Sequence, residues 1–470
     1  MSRPPLVFGT DGWRGVIAED ATFDTFRRLA RAAATSYRAG RFGPGDHSRI
    51  VIGHDPRFLS EDFSRAAAEV FAEAGIGVAL TDRPVPTPAV SAELRRRGLS
   101  GGVAVTASHN PARYNGFKLK ASFGGSAPPA LYDAVERDLD APFSPARAPG
   151  KITVEDFETP YREALGGRVD LDAIRGAGFR VVADAMHGAA GNGLATIVGR
   201  GKTRIESFRA QRDVLFGGGH PEPIGGNLSA AARRVRETRA GMALATDGDA
   251  DRLGVLDRSG EFVSAHRILA LLVLHAFRVR GTTGGIAKTF STSLLIDRIG
   301  ESLGAPVFET EIGFKHIADL MISGKVAVGG EESGGYGFAF HLPERDGTLA
   351  ALLLLEHLAK TGRTLEGALG DLGREFGRFE YGRRDVYRPV EAIRRFLAGV
   401  AASPPSKIAG ERVTGCREKD GVKLLFGARG WLLLRLSGTE PMIRLYCEHE
   451  DGRLVEAILA RAEERLNRSS

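Results

Sequence analysis

The feature that most constrains this chain is a recurring unit, in which a short apolar run ends at once in a small polar loop. Stretches with helical apolar spacing, such as residues 25–37 and 60–74, separate several of these runs. Because apolar runs of this length predict buried strands, their alternation with helices predicts parallel βαβ units. The runs cover residues 50–53, 101–105, 179–183, 242–245, 284–287 and 326–328. We therefore expect several related α/β domains whose loops share one cleft.

The length and the changes in pattern predict where the domains begin and end. A chain of 470 residues is too long for one core and predicts three or four domains of roughly 100–150 residues each. Residues 141–150 are rich in proline, alanine and serine and predict a first linker. After residue 377 the chain has short strand-like runs and a helical pattern over residues 454–465. This last part predicts a smaller α+β domain with an antiparallel sheet.

Composition and charge argue against several classes of protein. The longest apolar run, residues 268–277, is far shorter than the roughly 20 residues that a membrane span needs. Residues 1–5 precede no apolar signal segment, and Cys416 and Cys447 form no disulfide or metal-binding pattern, so we predict a cytoplasmic protein. The net charge is +6, but basic residues alternate with acidic ones, which favours small anionic ligands over nucleic acid.

The loop at residues 106–111, with the sequence Thr-Ala-Ser-His-Asn-Pro, follows one of the predicted strands. Asn-Pro and the later Asn-Gly pair are typical of turns, so Ser108 is predicted to lie on a tight loop. Ligands of open α/β sheets bind at the carboxyl ends of the strands, where this loop would lie. An ordinary polar turn would have the same composition, and the loop alone does not exclude one.

Three carboxylates, Asp247, Asp249 and Asp251, occupy alternate positions directly after another predicted strand. Like charges this close repel unless a cation neutralises them, and oxygen ligands favour Mg²⁺, Mn²⁺ or Ca²⁺. An EF-hand is excluded because its glycine and glutamate positions hold Arg252 and Arg258. A solvated acidic turn is the alternative interpretation.

Two further loops have the composition of ligand-binding segments. Glu331 and Ser333 lie between glycine pairs and could accept hydrogen bonds from sugar hydroxyls, although a surface loop would look the same. Residues 435–444 combine small hydroxyl residues and a glycine with flanking Arg435 and Arg444. Arginine forks and turn amides bind phosphate, although a hairpin turn ending in proline is an alternative.

Two common active-site motifs are absent from the sequence. Lys288-Thr289 lacks the glycines of a nucleotide-binding P-loop, and Ser108 lacks the G-x-S-x-G setting of a serine hydrolase.

Taken together and in order, these stretches resemble the α-D-phosphohexomutase family. The matching segments are residues 8–15, 106–111, 247–252, 330–335 and 435–444, which span nearly the whole chain. The resemblance implies three related mixed α/β domains and a smaller C-terminal α+β domain around a central cleft. We place these domains at residues 1–148, 149–256, 257–373 and 374–470.

The resemblance also implies roles for individual residues. Ser108 would carry the transferable phosphoryl group and would hold Mg²⁺ together with Asp247, Asp249 and Asp251. Glu331 and Ser333 would bind the sugar. The phosphate that is not being transferred would bind the last of the loops through Arg435, Ser437, Gly438, Thr439 and Arg444. A hexose 1,6-bisphosphate would be the intermediate and primer, and a movable last domain would let it bind in both orientations.

Phosphoserine carries a charge of about −1.5 to −2, so three carboxylates and one divalent cation leave excess negative charge. The residues expected to offset this charge as cations are Arg14, His109, Lys118 and Arg252. Lys118, His109 and Lys315 are the candidates for the general acid or base, and Lys118 is favoured. A lysine base requires burial or cationic neighbours to lower its pKa. Lys315 matches another active-site stretch of the family.

The substrate is predicted from the Glu-Glu-Ser sequence at residues 331–333, which resembles the phosphoglucomutase version of the sugar loop. Gly334-Gly335 departs from the family's usual endings. We expect a phosphoglucomutase that also accepts mannose phosphates, with phosphoglucosamine mutase as the alternative. A non-catalytic phosphosugar-binding protein and a nucleic-acid binder are competing classes, and no oligomeric state is predicted.

Overall fold

A computed structural model describes residues 6–9, 11–438 and 440–468. It contains five sheets, of which the four largest divide the chain into four consecutive α/β or α+β units, here called domains I to IV. Each apolar run predicted as a buried strand lies in a strand to within one residue, and the predicted fold class is confirmed.

Domain I is built on a mixed seven-stranded sheet of order β1-β5-β4-β2-β3-β7, with β6 paired to β5. Its elements are β1 (Trp13–Val16), α1 (Phe23–Arg38), β2 (Arg49–His54), α2 (Ser60–Glu73), β3 (Gly77–Thr81), α3 (Thr87–Arg96), β4 (Gly101–Val105), β5 (Tyr114–Ala121), β6 (Gly125–Ser126), α4 (Pro129–Arg137) and β7 (Ile152–Glu155). Strand β7 lies beyond the proline-rich segment at 141–150 and still pairs in parallel with β3. This segment therefore crosses the domain rather than ending it.

Domain II has a five-stranded sheet of order β12-β11-β10-β8-β9. Its elements are α5 (Glu158–Gly166), α6 (Leu171–Gly176), β8 (Arg180–Asp184), α7 (Gly193–Val198), β9 (Arg204–Phe208), short 3₁₀ turns at Phe216–Gly218 and Gly225–Asn227, α8 (Ser229–Thr238), β10 (Met242–Thr246), β11 (Leu253–Asp257) and β12 (Phe262–Val263). Strands β9, β8 and β10 are parallel, and β11 adds to β10 in the antiparallel direction.

Domain III repeats the arrangement in a four-stranded sheet of order β14-β13-β15-β16. Its elements are α9 (Ala265–Leu274), which continues as a π-helical turn (His275–Val279), β13 (Gly285–Thr289), α10 (Leu295–Leu303), β14 (Val307–Thr310), α11 (Phe314–Ile322), β15 (Val326–Gly330), β16 (Tyr336–Phe338), α12 (Gly347–Thr361) and α13 (Leu365–Phe376). Again only the last strand, β16, is antiparallel to its neighbour.

Domain IV is an antiparallel five-stranded sheet of order β17-β23-β22-β21-β20, covered by two long helices. Its elements are β17 (Glu380–Tyr387), α14 (Val390–Ala402), β18 (Lys407–Ile408), β19 (Glu411–Arg412), β20 (Gly415–Glu418), β21 (Val422–Leu425), a 3₁₀ turn (Gly427–Arg429), β22 (Gly430–Leu436), β23 (Met442–His449) and α15 (Gly452–Arg468).

The packing separates domain IV from the other three. One apolar core runs through domains I, II and III, and residues 349–355 of α12 are buried within it. Domain IV has a core of its own, and a small cluster of Phe290, Trp431, Leu433 and Tyr446 joins it to domain III. No helix in the described part of the chain is both long and apolar enough to cross a bilayer. Domains I to III thus form one packed body, against which domain IV is a separate unit.

Candidate active site

Three of the predicted loops meet where domains I, II and III adjoin. Each loop connects the outermost parallel strand of its domain to an antiparallel neighbour: residues 106–113 follow β4, residues 247–252 follow β10 and residues 331–335 follow β15. Arg252 forms a β-bridge with Gly335, so the second and third loops are paired directly. The same connection between a parallel strand and its antiparallel neighbour occurs in three related sheets and therefore places three polar loops side by side.

Ser108 links the first loop to the second. Its hydroxyl donates a hydrogen bond of 3.0 Å to Oδ2 of Asp247, and its residue is only 1% exposed. The backbone of Ser108 has φ of 52°, a left-handed conformation that costs energy for a residue with a Cβ atom. Surrounding hydrogen bonds must therefore hold Ser108 in this position.

Arg57 supplies most of these bonds. It is fully buried and donates to four backbone carbonyls of the loop at 2.5–3.1 Å, those of Ser108, Asn110, Pro111 and Tyr114. Asp55 accepts a hydrogen bond from Arg57 Nε and another from the Thr106 hydroxyl. This buried pair after β2 fixes the loop that carries Ser108.

The three aspartates have the arrangement of a cation site. All are fully buried, and ligand oxygens of Asp247, Asp249 and Asp251 lie within 4.8 Å of one another. Among the described residues, Oδ1 of Asp249 and Oδ1 of Asp251 have no hydrogen-bond partner. Buried carboxylate oxygens without a donor are costly, and a hard divalent cation would satisfy them. The residues therefore fit Mg²⁺, with the Ser108 oxygen beside them.

Lys118 reaches the same aspartates from domain I. Its Nζ lies 2.9 Å from Asp249 Oδ2 and 3.0 Å from Asp11 Oδ2. Burial alone would lower the pKa of Lys118, but the carboxylates of Asp11, Asp249 and Asp251 outweigh it and raise the pKa above its usual value. The lowered pKa expected for a lysine base is therefore not observed, because acidic neighbours outweigh both burial and the nearby cations.

His109 and Arg14 lie against the Ser108 loop. Nδ1 of His109 is 3.4 Å from the Ser108 hydroxyl, and Arg14 donates to the side chain of Asn110. Burial, followed by the charges of Arg252 and Arg14, holds the pKa of His109 well below its usual value. Burial and these arginines favour the neutral form of His109, so they do not support its expected role as a cation.

The sugar loop contributes one buried and two partly exposed polar residues. Burial raises the pKa of Glu331 to about 7, and its carboxylate lies 3.4 Å from Arg345 Nη1. Glu332 instead accepts hydrogen bonds from Ser291 and Thr289, and Ser333 is partly exposed. Lys315 is the second residue of α11 and is also partly exposed.

The phosphate loop, residues 437–441 with flanking Arg435 and Arg444, connects β22 to β23 in domain IV. Arg435 Nε donates to Asp420 at 2.8 Å, and among the described residues Nε of Arg444 is buried without a partner. Gly438 is exposed, and the Ser437 N–H donates to the carbonyl of Met442. The prediction for Thr439 falls outside the described residues.

Within the described chain, the hydrogen bonds and ion pairs that join domain IV to the rest all run to domain III. Examples are Lys423 to Glu309, Arg298 to Glu450 and the Leu294 N–H to Glu448. The phosphate loop is therefore joined to the rest of the chain through domain III. Among the described residues it shares no hydrogen bond with the three-loop site, which is formed by residues 106–113, 247–252 and 331–335.

Comparison with known proteins identifies the family. Models described as phosphoglucomutase/phosphomannomutase α/β/α domains I, II and III match residues 5–144, 159–260 and 264–376, and the C-terminal domain model matches residues 389–465. A phosphoglucomutase/phosphomannomutase of Thermococcus kodakarensis is 31% identical over 94% of both chains. A phosphoglucosamine mutase of Acidothermus cellulolyticus is also 31% identical, over all of this chain and 96% of its own.

The crystal structure of a putative phosphomannomutase from Thermus thermophilus superposes with a TM-score of 0.86 at 36% identity over 99% of both chains. The chain belongs to the α-D-phosphohexomutase family. It is an enzyme of the isomerase class, an intramolecular phosphotransferase.

Two residues that hold the loops of this site, Arg345 and Arg57, were not predicted from the sequence. Arg345 donates to Asp251 Oδ2 at 2.7 Å and to Asp11 Oδ2 at 2.8 Å, besides facing Glu331. It thus joins the aspartate loop to the sugar loop and to the N-terminal turn. The only local signal is its position before Asp346, which caps α12, and this does not indicate a partner. Arg57 had a clearer signal, an Asp-Pro-Arg sequence directly after a predicted strand.

Proposed function

We propose that this phosphohexomutase interconverts hexose 1-phosphates and hexose 6-phosphates through a phosphoserine at residue 108 and a hexose 1,6-bisphosphate. The observation that carries the proposal is the Ser108 hydroxyl, 3.0 Å from Asp247 and beside two aspartate oxygens that lack donors. Asp247, Asp249 and Asp251 would hold Mg²⁺, which neutralises charge on the transferring phosphoryl group.

The transfer exchanges one P–O bond for another. The bond from phosphorus to Ser108 Oγ breaks as a bond forms between phosphorus and the free hydroxyl oxygen of the hexose monophosphate. The proton of that hydroxyl ends on Ser108 Oγ, which becomes a free hydroxyl again. After the bisphosphate turns around, its other phosphate returns to Ser108, and the isomeric monophosphate departs. Lys118 Nζ lies 2.9 Å from Asp249 Oδ2, so Lys118 in its cationic form would stabilise negative charge during the transfer.

Binding of the sugar and of the second phosphate is assigned to the other two loops. Glu331 and Ser333 would accept and donate hydrogen bonds to sugar hydroxyls, with Lys315 nearby on α11. Arg435, Ser437, Gly438, Thr439 and Arg444 would hold the phosphate that is not being transferred. Arg14 and Arg252 would bind the phosphoryl group at Ser108, and His109 would lie beside it in neutral form.

Glucose phosphates are the proposed main substrates and mannose phosphates the second, on the basis of the Glu-Glu-Ser sugar loop. Phosphoglucosamine mutase is the alternative, which is supported by relatives of that name at 28–31% identity over nearly the whole chain. Coupled assays with the 1-phosphates of glucose, mannose and glucosamine, with Mg²⁺ and a trace of bisphosphate, separate these possibilities. No turnover of any of the three would reject the proposed function.

The matched variants are Ser108→Ala and Ser64→Ala. The first removes the proposed phosphoryl acceptor and should reduce kcat at least about a thousandfold. The second removes a buried hydroxyl that bonds only to the Glu61 carbonyl in α2, and it should retain the parent rate. Equal rates for Ser108→Ala and the parent would show that another group carries the phosphate.

A further inference from the structure

Asp420 lies between β20 and β21 of domain IV and contacts two domains at once. Its Oδ1 accepts a hydrogen bond from Arg435 Nε at 2.8 Å, and its Oδ2 accepts one from the Ile312 N–H at 3.0 Å. Ile312 belongs to domain III, in the connection between β14 and α11. One carboxylate therefore joins an arginine of the phosphate loop to the neighbouring domain.

The effect of Asp420 on Arg435 depends on which guanidinium nitrogen the carboxylate binds. The carboxylate is bound through Nε, so the two Nη groups of Arg435 are not committed to it. A phosphate is bound most strongly by such a pair of parallel N–H donors. Because the Ile312 N–H fixes the second oxygen of Asp420, the carboxylate can hold the guanidinium in one orientation and reduce the entropy lost when phosphate binds.

The rest of the β20–β21 hairpin is held on the same part of domain III. Lys423 Nζ lies 3.1 Å from Glu309 Oε2 and donates to the Phe290 carbonyl at 2.7 Å, while Lys419 donates to the Glu309 carbonyl at 2.6 Å. These anchors place Asp420 beside Ile312 without help from Arg435. The hairpin thus has contacts to domain III that do not involve the Arg435 side chain.

We infer that Asp420 is a positioning residue that holds Arg435 for the substrate's non-transferred phosphate and ties this arrangement to the packing of domain IV on domain III. The inference rests on the proposed function, in which Arg435 binds that phosphate. Asp420 itself contacts neither the substrate nor the reacting atoms.

A double-mutant cycle on KM for glucose 1-phosphate tests the inference. Asp420→Ala should raise KM about tenfold with kcat changed less than about twofold, since a charge-assisted hydrogen bond is lost. Arg435→Ala should raise KM more, by about a hundredfold, and the double variant should match Arg435→Ala alone. Asp420→Asn, which cannot accept both hydrogen bonds, should give an intermediate KM and serves if the alanine variant does not fold.

Asp451→Ala is the matched control, because Asp451 pairs with Arg453 in the same domain but contacts neither the phosphate loop nor domain III. It should leave KM unchanged and should add nothing to Arg435→Ala. The inference is overturned if Asp420→Ala leaves KM unchanged, lowers kcat instead, or adds its full effect in the double variant. An unchanged KM for Arg435→Ala would instead reject the proposed function of the phosphate loop.

Discussion

The three-loop site and the phosphate loop are both built from loops that join two antiparallel strands, but they differ in how they are packed. All four loops follow a strand and lead into an antiparallel neighbour. Around the first three, Ser108, Lys118 and the aspartates are buried in contacts among domains I, II and III. The phosphate loop lies on a domain with its own core, and its Gly438 is exposed.

The difference matches two demands of the proposed reaction. Phosphoryl transfer depends on fixed geometry, and a strained Ser108 held by a buried arginine supplies it. An intermediate that must turn around needs a phosphate clamp that can release and bind again, which a separately packed domain allows. The comparison therefore predicts that variants of Ser108 and of the aspartates reduce kcat, whereas variants of the phosphate loop raise KM.

After Ser108→Ala, the largest expected effect concerns the aspartates. Asp249→Asn removes a charged ligand whose Oδ1 has no donor among the described residues, so it should weaken Mg²⁺ binding and reduce kcat at least about a hundredfold. The measurement is the coupled assay titrated with Mg²⁺ after treatment with a chelator. Asp257→Asn, at the other end of β11, should behave as the parent. An unchanged Mg²⁺ dependence in Asp249→Asn would show that the trio is not the metal site.

The contrast also explains what the sequence could predict. Ser108, the aspartates and Glu331 were found because each follows its own strand, so a local pattern is enough. Arg345 could not be found in this way, since it lies 94 residues from Asp251 and 334 from Asp11. The strands and helices of each domain can likewise be predicted from local sequence patterns. The partners of a long side chain depend instead on how the domains pack.

The pKa shifts of Lys118 and His109 could not be predicted from the sequence for the same reason. The pKa of Lys118 depends on Asp11 from the N-terminal turn and on Asp249 from domain II, and the pKa of His109 depends on Arg252 from domain II. None of these residues is a sequence neighbour. The sequence predicted cationic neighbours that would lower the pKa of Lys118, but the structure places carboxylates of Asp249 and Asp11 at 2.9 and 3.0 Å from its Nζ.

The second prediction addresses the phosphate loop. Arg444→Ala removes a guanidinium whose Nε is buried without a partner among the described residues, so KM for glucose 1-phosphate should rise about tenfold or more. The value of kcat should change little, because Ser108 and the aspartates are untouched. Arg453→Ala removes an exposed arginine of the same domain and is the control. A large fall in kcat at constant KM would contradict the proposed division between the two regions.

The smallest predicted effect concerns Glu331, a residue of the three-loop site that is proposed to bind the sugar. Burial raises the pKa of this carboxyl to about 7, so Glu331 is largely protonated at pH 6 and ionised at pH 8. An ionised carboxylate is the better acceptor for sugar hydroxyls, and KM should therefore fall by up to about tenfold as pH rises from 6 to 8. The substrate phosphate also titrates near pH 6, so the comparison must be made with Glu331→Gln over the same range. The variant retains the titration of the substrate but should lose the fall in KM centred near pH 7. Identical pH profiles for the two enzymes would show that Glu331 does not bind the sugar as a titrating carboxylate.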